Sequence, residues 1–161
     1  MAAARDGSPV ELYLRLPPRG EAELVHDAIG DDVEILELGC GVGPTERASF
    51  LAACARHVAA DGVVLIERHE PDWNPSEGSG GRLGDLSIWL EDVRQEGGTV
   101  SATVRYEGGD EVWSHPFTAN VLDDAELNAS LGEVGLKLDA VLDDAGRWVA
   151  ATPILRDIVA A

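Results

Sequence analysis

Apolar and polar residues change rhythm several times along the chain, and each change predicts an element. Ala22, Leu24, Val25, Ala28 and Ile29 fall near helical spacing ahead of Gly30-Asp31-Asp32, which predicts a helix over 20–29. Val33-Glu34-Ile35-Leu36-Glu37-Leu38 is a short apolar run that ends in spaced glycines, so it reads as a buried strand delivering a tight loop. Phe50, Leu51, Cys54 and Val58 stand at i, i+1, i+4 and i+8, one stripe of a helix over 44–59. Pro44 suits its first turn, where the missing N–H is not needed. Val63-Val64-Leu65-Ile66 is continuously apolar, the pattern of a strand covered on both faces. Strand, helix and strand in this order predict a right-handed parallel βαβ unit.

Before these elements, 1–8 reads as a polar end, and Pro9 to Leu16 as a short helical turn or arm stopped by Pro17-Pro18. After them, Glu67 to Gly84 is polar and rich in Gly and Pro, a long loop at the C-terminal end of a strand, where α/β sheets commonly build sites. Then the period shortens to two. Leu86, Ile88 and Leu90 alternate, as do Val100, Ala102, Val104 and Tyr106, and Trp113, His115, Phe117, Ala119 and Val121. The breaks at Glu96-Gly97-Gly98 and Gly108-Gly109-Asp110 make 85–121 an antiparallel meander with one wet face. Asp123 to Leu131 predicts a helix capped by Asp123 or Asp124, with Leu127 and Leu131 inward. Leu136–Leu142 and Arg147–Ala151, joined by Asp143-Asp144-Ala145-Gly146, predict a closing hairpin.

Composition narrows the class. The chain has 161 residues, 45% of them hydrophobic, enough for one packed domain over 1–161. Its apolar runs are too short to span a bilayer, no leader pattern is visible, and two cysteines do not make a disulfide scaffold; the expectation is a cytoplasmic protein. The net charge of −18 disfavours nucleic acid and anionic membrane as partners. Such acidity keeps a surface solvated and repulsive, or steers a cationic substrate.

The stretch Glu37-Leu38-Gly39-Cys40-Gly41-Val42-Gly43 resembles motif I of the class I S-adenosylmethionine (SAM)-dependent methyltransferases, acid-x-Gly-x-Gly-x-Gly after a strand. Glu37, Gly39, Gly41 and Gly43 match its positions. Glycine there takes positive φ freely and lets a ligand approach the backbone. The order of later segments extends the likeness. Val63–Glu67 resembles the family's fifth strand, and Trp113…Phe117 followed by Asp124-Ala125-Glu126-Leu127…Val134-Gly135-Leu136 resembles its closing strand–helix–hairpin pattern. The resemblance implies an α/β fold: a truncated Rossmann-like methyltransferase sheet with a parallel βαβ core, the meander, and a C-terminal helix and hairpin. Its parts are 9–43, 44–68, 85–121 and 123–152. It also implies SAM as cofactor, a small-molecule substrate, and an N-terminal segment that closes over the cofactor with Tyr13 as a pocket residue; no residues show a specific zinc spacing, so no metal is expected.

One departure is internal. In the family, second, third and fourth strands follow motif I, and the second ends in the acid that binds the SAM ribose. Here Arg47-Ala48-Ser49-Phe50-Leu51 already resembles the helix before the fifth strand. The pocket is therefore expected to lack its ribose and adenine walls. Strand 33–38 is left with an open edge, which invites another chain, so a homodimer by edge pairing or segment exchange is expected.

The candidate chemistry lies in two places. His69, flanked by Glu67, Glu70 and Asp72 in the loop after 63–67, is a candidate general base with carboxylate partners. His115 in the meander is the second candidate, if its face points inward with Trp113 and Phe117. A solvated loop and a structural histidine are the plainer alternatives at these places. Trp73 lines a pocket or anchors the loop. Cys40 at a helix N-terminus is a candidate nucleophile, and more simply a small loop residue. His26 and His57 belong on helix surfaces. Three functions stay open: a SAM-binding methyltransferase homologue acting on a small molecule, a repurposed SAM-independent cyclase, isomerase or hydrolase, and a non-catalytic dimeric binding protein.

Overall fold

The computed structural model describes residues 10–18, 20–30 and 44–154. The expected strand at 33–38 and the glycine loop lie outside the described residues. Within them the chain divides into two compact units, each assembled from separated segments: the N-terminal arm with 73–120, and 21–72 with 121 onward.

The first unit is the meander and the arm. Strands β2 (Gly80–Leu83), β3 (Leu86–Glu96), β4 (Thr99–Gly108) and β5 (Glu111–Asn120) form an antiparallel sheet in chain order. Gly97 and Gly98, both at positive φ (55° and 76°), make the two-residue turn whose twist joins β3 to β4. The register aligns Leu90, Val104 and His115, and aligns Ile88, Tyr106 and Trp113. Val100, Ala102 and Val104 are buried while the residues between them are partly exposed, so the alternation read from the sequence is a real inside and outside. The arm contributes α1 (Val10–Tyr13), whose Leu12 is buried with Leu86 and Trp113.

Strand β2 was not legible in the sequence. Gly80-Gly81-Arg82-Leu83 offers no alternation and pairs with β3 through its backbone. A Cβ on Gly80 would stand 1.9 Å from the Ile88 carbonyl oxygen, so glycine permits this close approach. The alternation of β3 also stops early: Asp92 takes a φ of 55° at a bulge between Glu91 and Arg94.

The second unit holds α2 (Glu21–Ile29), α3 (Pro44–His57), β1 (Val64–Glu67), α4 (Asp124–Glu133), β6 (Leu136–Val141) and β7 (Trp148–Pro153). Its sheet runs β1-β7-β6, with β7 antiparallel to both neighbours. Leu51 and Cys54 of the predicted α3 stripe, Leu127 and Leu131 of α4, and Val64, Leu136, Val149 and Ala151 of the sheet make one core. Each leucine in it contributes about 1.5–3 kcal/mol of burial. Asp123 caps α4 in a capping box, accepting from the Glu126 amide at 2.8 Å while Glu126 accepts from the Asp123 amide at 3.1 Å.

Pro44–His57 is a single helix, and β1 begins seven residues after it ends. The interval that three further strands and their helices would occupy therefore holds one helix, as the sequence predicted. No helix among the described residues is long and apolar enough to cross a membrane.

Candidate functional site

The loop that leaves β1 is held by arginines. Arg68 follows the strand and turns inward; only 7% of its side chain is exposed. Its Nε donates to the Gly146 carbonyl at 2.8 Å and its Nη1 to the Leu122 carbonyl at 3.2 Å, and its Nη2 pairs with the Asp124 carboxylate. One guanidinium thus ties the loop to the β6–β7 turn and to the start of α4. The Arg68 amide also donates to the Arg147 carbonyl at 2.8 Å. Arg147 in turn pairs through Nη2 with the Glu67 carboxylate.

His69 projects from this clamped segment. It is exposed, yet enough protein crowds the ring for burial to lower its pKa, and Arg147 lowers it further; Glu67 and Glu70 oppose them. The net direction favours the neutral imidazole, the form that accepts a proton. Glu67, expected as a partner of His69, has its carboxylate engaged by Arg147 and acts on the imidazole through space. Among the described residues no three His, Cys, Asp or Glu side chains group to hold a metal.

His115 belongs to the other unit, so the structure describes the two histidines in separate settings. It stands on the inner face of β5, stacked on Tyr106 with ring centroids 6.2 Å apart and planes 18° apart. Its Nδ1 is buried without a hydrogen-bond partner. Trp73 packs on Phe117 at 6.4 Å, so it anchors its loop on the meander. At the other end of the sheet, Arg15 donates to Glu111 at 2.7 Å and to the Gly108 carbonyl at 3.2 Å, pairs with Asp85, and lies 5.3 Å over the Trp113 ring. Hydrogen bonding to Arg15 holds the Asp85 carboxyl below its ordinary range.

Of the expected cofactor-binding residues, Glu37, Gly39, Gly41 and Gly43 lie outside the described residues, as does Cys40. Tyr13 stands on α1, with its side chain outside the described set. His26 and His57 are exposed on α2 and α3, as expected. A cavity of about 360 Å³ in the second unit is lined by Ala60, Asp61, Gly62, Lys137, Thr152, Pro153 and Ile154, and none of the expected site residues lines it. Sequence reasoning missed Arg68, Arg147 and Arg15. Their roles depend on partners 54 to 96 positions away, and nothing local signals them. Tyr106 was readable, because the period of two puts it on the same face as Val104, opposite Trp113.

No family model matches the chain, and no curated protein matches it. Solved structures do. The CcbJ methyltransferase from Streptomyces caelestis superposes with a TM-score of 0.51 at 15% identity, over 71% of this chain and 56% of that one. DesVI from Streptomyces venezuelae gives 0.50 at 18% identity, over 74% and 56%. A SAM-dependent methyltransferase from Clostridium acetobutylicum gives 0.50 at 10% identity, over 89% and 71%. The chain thus spans little more than half the length of the first two. These likenesses bear on the scaffold, and they agree with the β1-β7-β6 sheet closed by α3 and α4: the chain has a class I methyltransferase-like fold.

Proposed function

We propose that this chain is a homologue of the SAM-dependent methyltransferases that acts on a small molecule through a shortened cofactor pocket. The observation that carries the reading is the likeness of fold, joined to the motif I residues Glu37, Gly39, Gly41 and Gly43. One structural feature fits a cofactor with a carboxylate end: α3 starts at Pro44, directly after the last of these glycines. A helix N-terminus favours negative charge, and glycines ahead of it admit close backbone approach. In this reading the glycine stretch and Glu37 hold the amino-acid end. When bound, SAM supplies an electrophilic sulfonium methyl. The chain's own contribution is to seat the acceptor and remove its proton, with His69 as the candidate proton acceptor and Glu67 acting on it through charge.

The single helix between the glycines and β1 leaves no strand to carry a ribose-binding acid. We assign the missing wall to a second copy of the chain, in a homodimer formed by edge pairing or segment exchange. The charge of −18 favours a neutral or cationic acceptor over an anionic one. Calorimetric titration with SAM and its demethylated product tests the cofactor, and light scattering tests the dimer. A monomer at micromolar concentration removes the second claim. Absence of binding heat removes the first and leaves a SAM-independent enzyme or a binding protein.

A further inference from the structure

The register of the meander gathers Tyr106, Trp113, His115 and Phe117 on one face. Both ends of this row are covered from within the same unit. Leu12 and Leu16 pack over Leu86 and Trp113, and Trp73 packs on Phe117. His115 stands between, against Tyr106. Its Nδ1 is the one buried side-chain polar atom without a hydrogen-bond partner among the described residues. A buried acceptor left unpaired loses its hydration and gains nothing in return, and folded chains leave few such atoms without a use. An apolar ring in the same place would stack on Tyr106 without that loss.

We propose that His115 Nδ1 is the docking point for a hydrogen-bond donor of a bound small molecule, a hydroxyl or amine carried on a flat apolar frame. The inference rests on the small-molecule reading above and needs no methyl donor. With the ring proton on Nε2, Nδ1 is an acceptor. The aromatic side chains beside it suit a flat frame, because rings stack on rings. The acidity of the chain selects against phosphates and carboxylates, and so for a neutral or cationic donor. Nδ1 is buried, so a ligand that donates to it displaces what covers it.

Phenol and anisole make the test, since they share a ring and only phenol has a donor. The full-length chain is labelled with ¹⁵N-histidine and titrated with each, by NMR and by tryptophan fluorescence. Phenol is expected to move the His115 Nδ1 resonance toward its hydrogen-bonded position and to bind about fivefold tighter than anisole. In His115→Phe the two ligands should bind alike. If that variant fails to fold, the wild-type resonance decides alone. Equal affinity for the two ligands in the wild type, an unmoved Nδ1 resonance at saturating phenol, or preserved selectivity in His115→Phe overturns the proposal. A chain that prefers phenol but gives no heat with SAM keeps this site and loses the methyltransferase reading; the reverse result does the opposite.

Discussion

Removing the Arg68 side chain should destabilise the second unit far more than removing the neighbouring Arg147. Arg68 is 7% exposed and gives two carbonyls their partners, Gly146 at 2.8 Å and Leu122 at 3.2 Å. Arg68→Ala leaves both carbonyls short of a donor and the Asp124 carboxylate without its cation. A hydrogen bond from a charged donor is worth about 1.5–3 kcal/mol, and two of them set a loss of roughly 3 kcal/mol or more. The Asp124 pair adds little, because that carboxylate is 57% exposed. For a chain of this size each kcal/mol moves the melting temperature by about 2–4 °C, so the midpoint should fall by roughly 6–12 °C. Arg147 pairs with Glu67 at 33% and 41% exposure, a surface bridge worth about 0–1 kcal/mol, so Arg147→Ala should move it by no more than about 4 °C. Arg68→Lys keeps a charge without the planar fork and should fall between them. Thermal unfolding by circular dichroism, with urea unfolding beside it, reads all three. Equal shifts for Arg68→Ala and Arg147→Ala would refute the reasoning that burial and number of acceptors decide the cost.

Other sites give smaller and more local expectations. Asp123→Ala removes the α4 capping box and should cost about 1 kcal/mol in urea unfolding. Gly108→Ala places a Cβ 2.5 Å from Leu86 Cδ2 and 2.9 Å from Arg15 Nη2, and overpacking there should cost about 1–3 kcal/mol. The His69 imidazole should titrate below the ordinary histidine value by NMR, and Arg147→Ala should raise it only part of the way, since burial is the larger cause. Because that pKa is lowered on folding, His69 destabilises the fold as pH drops through the ordinary imidazole range and is neutral to stability above it. Asp85 has the opposite sign. Its depressed pKa adds stability above the ordinary carboxyl value that is lost as pH falls through the folded one, and Arg15→Ala should flatten that acid limb of the urea midpoint.

Much of the fold was legible because it is written in short-range periodicity. The α3 stripe Leu51 and Cys54, the alternation Val100, Ala102 and Val104, and the Asp123 cap with Leu127 and Leu131 inward each need only a local rule, and each is found. What escaped is non-local or side-chain-free. Strand β2 is a glycine pair recognised only by the backbone it meets, and nothing local in the sequence marks the Asp92 bulge. The division into two units was also hidden, because Leu12 of the arm is buried with Leu86 and Trp113 rather than with its neighbours in the chain. For the site, sequence placed His69 in a loop and His115 on a meander strand, with the inward face of His115 left as a condition. It could not show that Arg147 takes the Glu67 carboxylate, or that Nδ1 of His115 is left without a partner.

The central claim is that a methyltransferase-like scaffold with one helix in place of its middle strands still takes the sulfonium cofactor. Isothermal titration of the full chain with SAM, and with its demethylated product as a second ligand, tests it most directly. The account predicts saturable heat with affinity in the micromolar range for both, lost when Gly41 is replaced by a bulky residue. Flat titrations with both ligands on folded protein would contradict it.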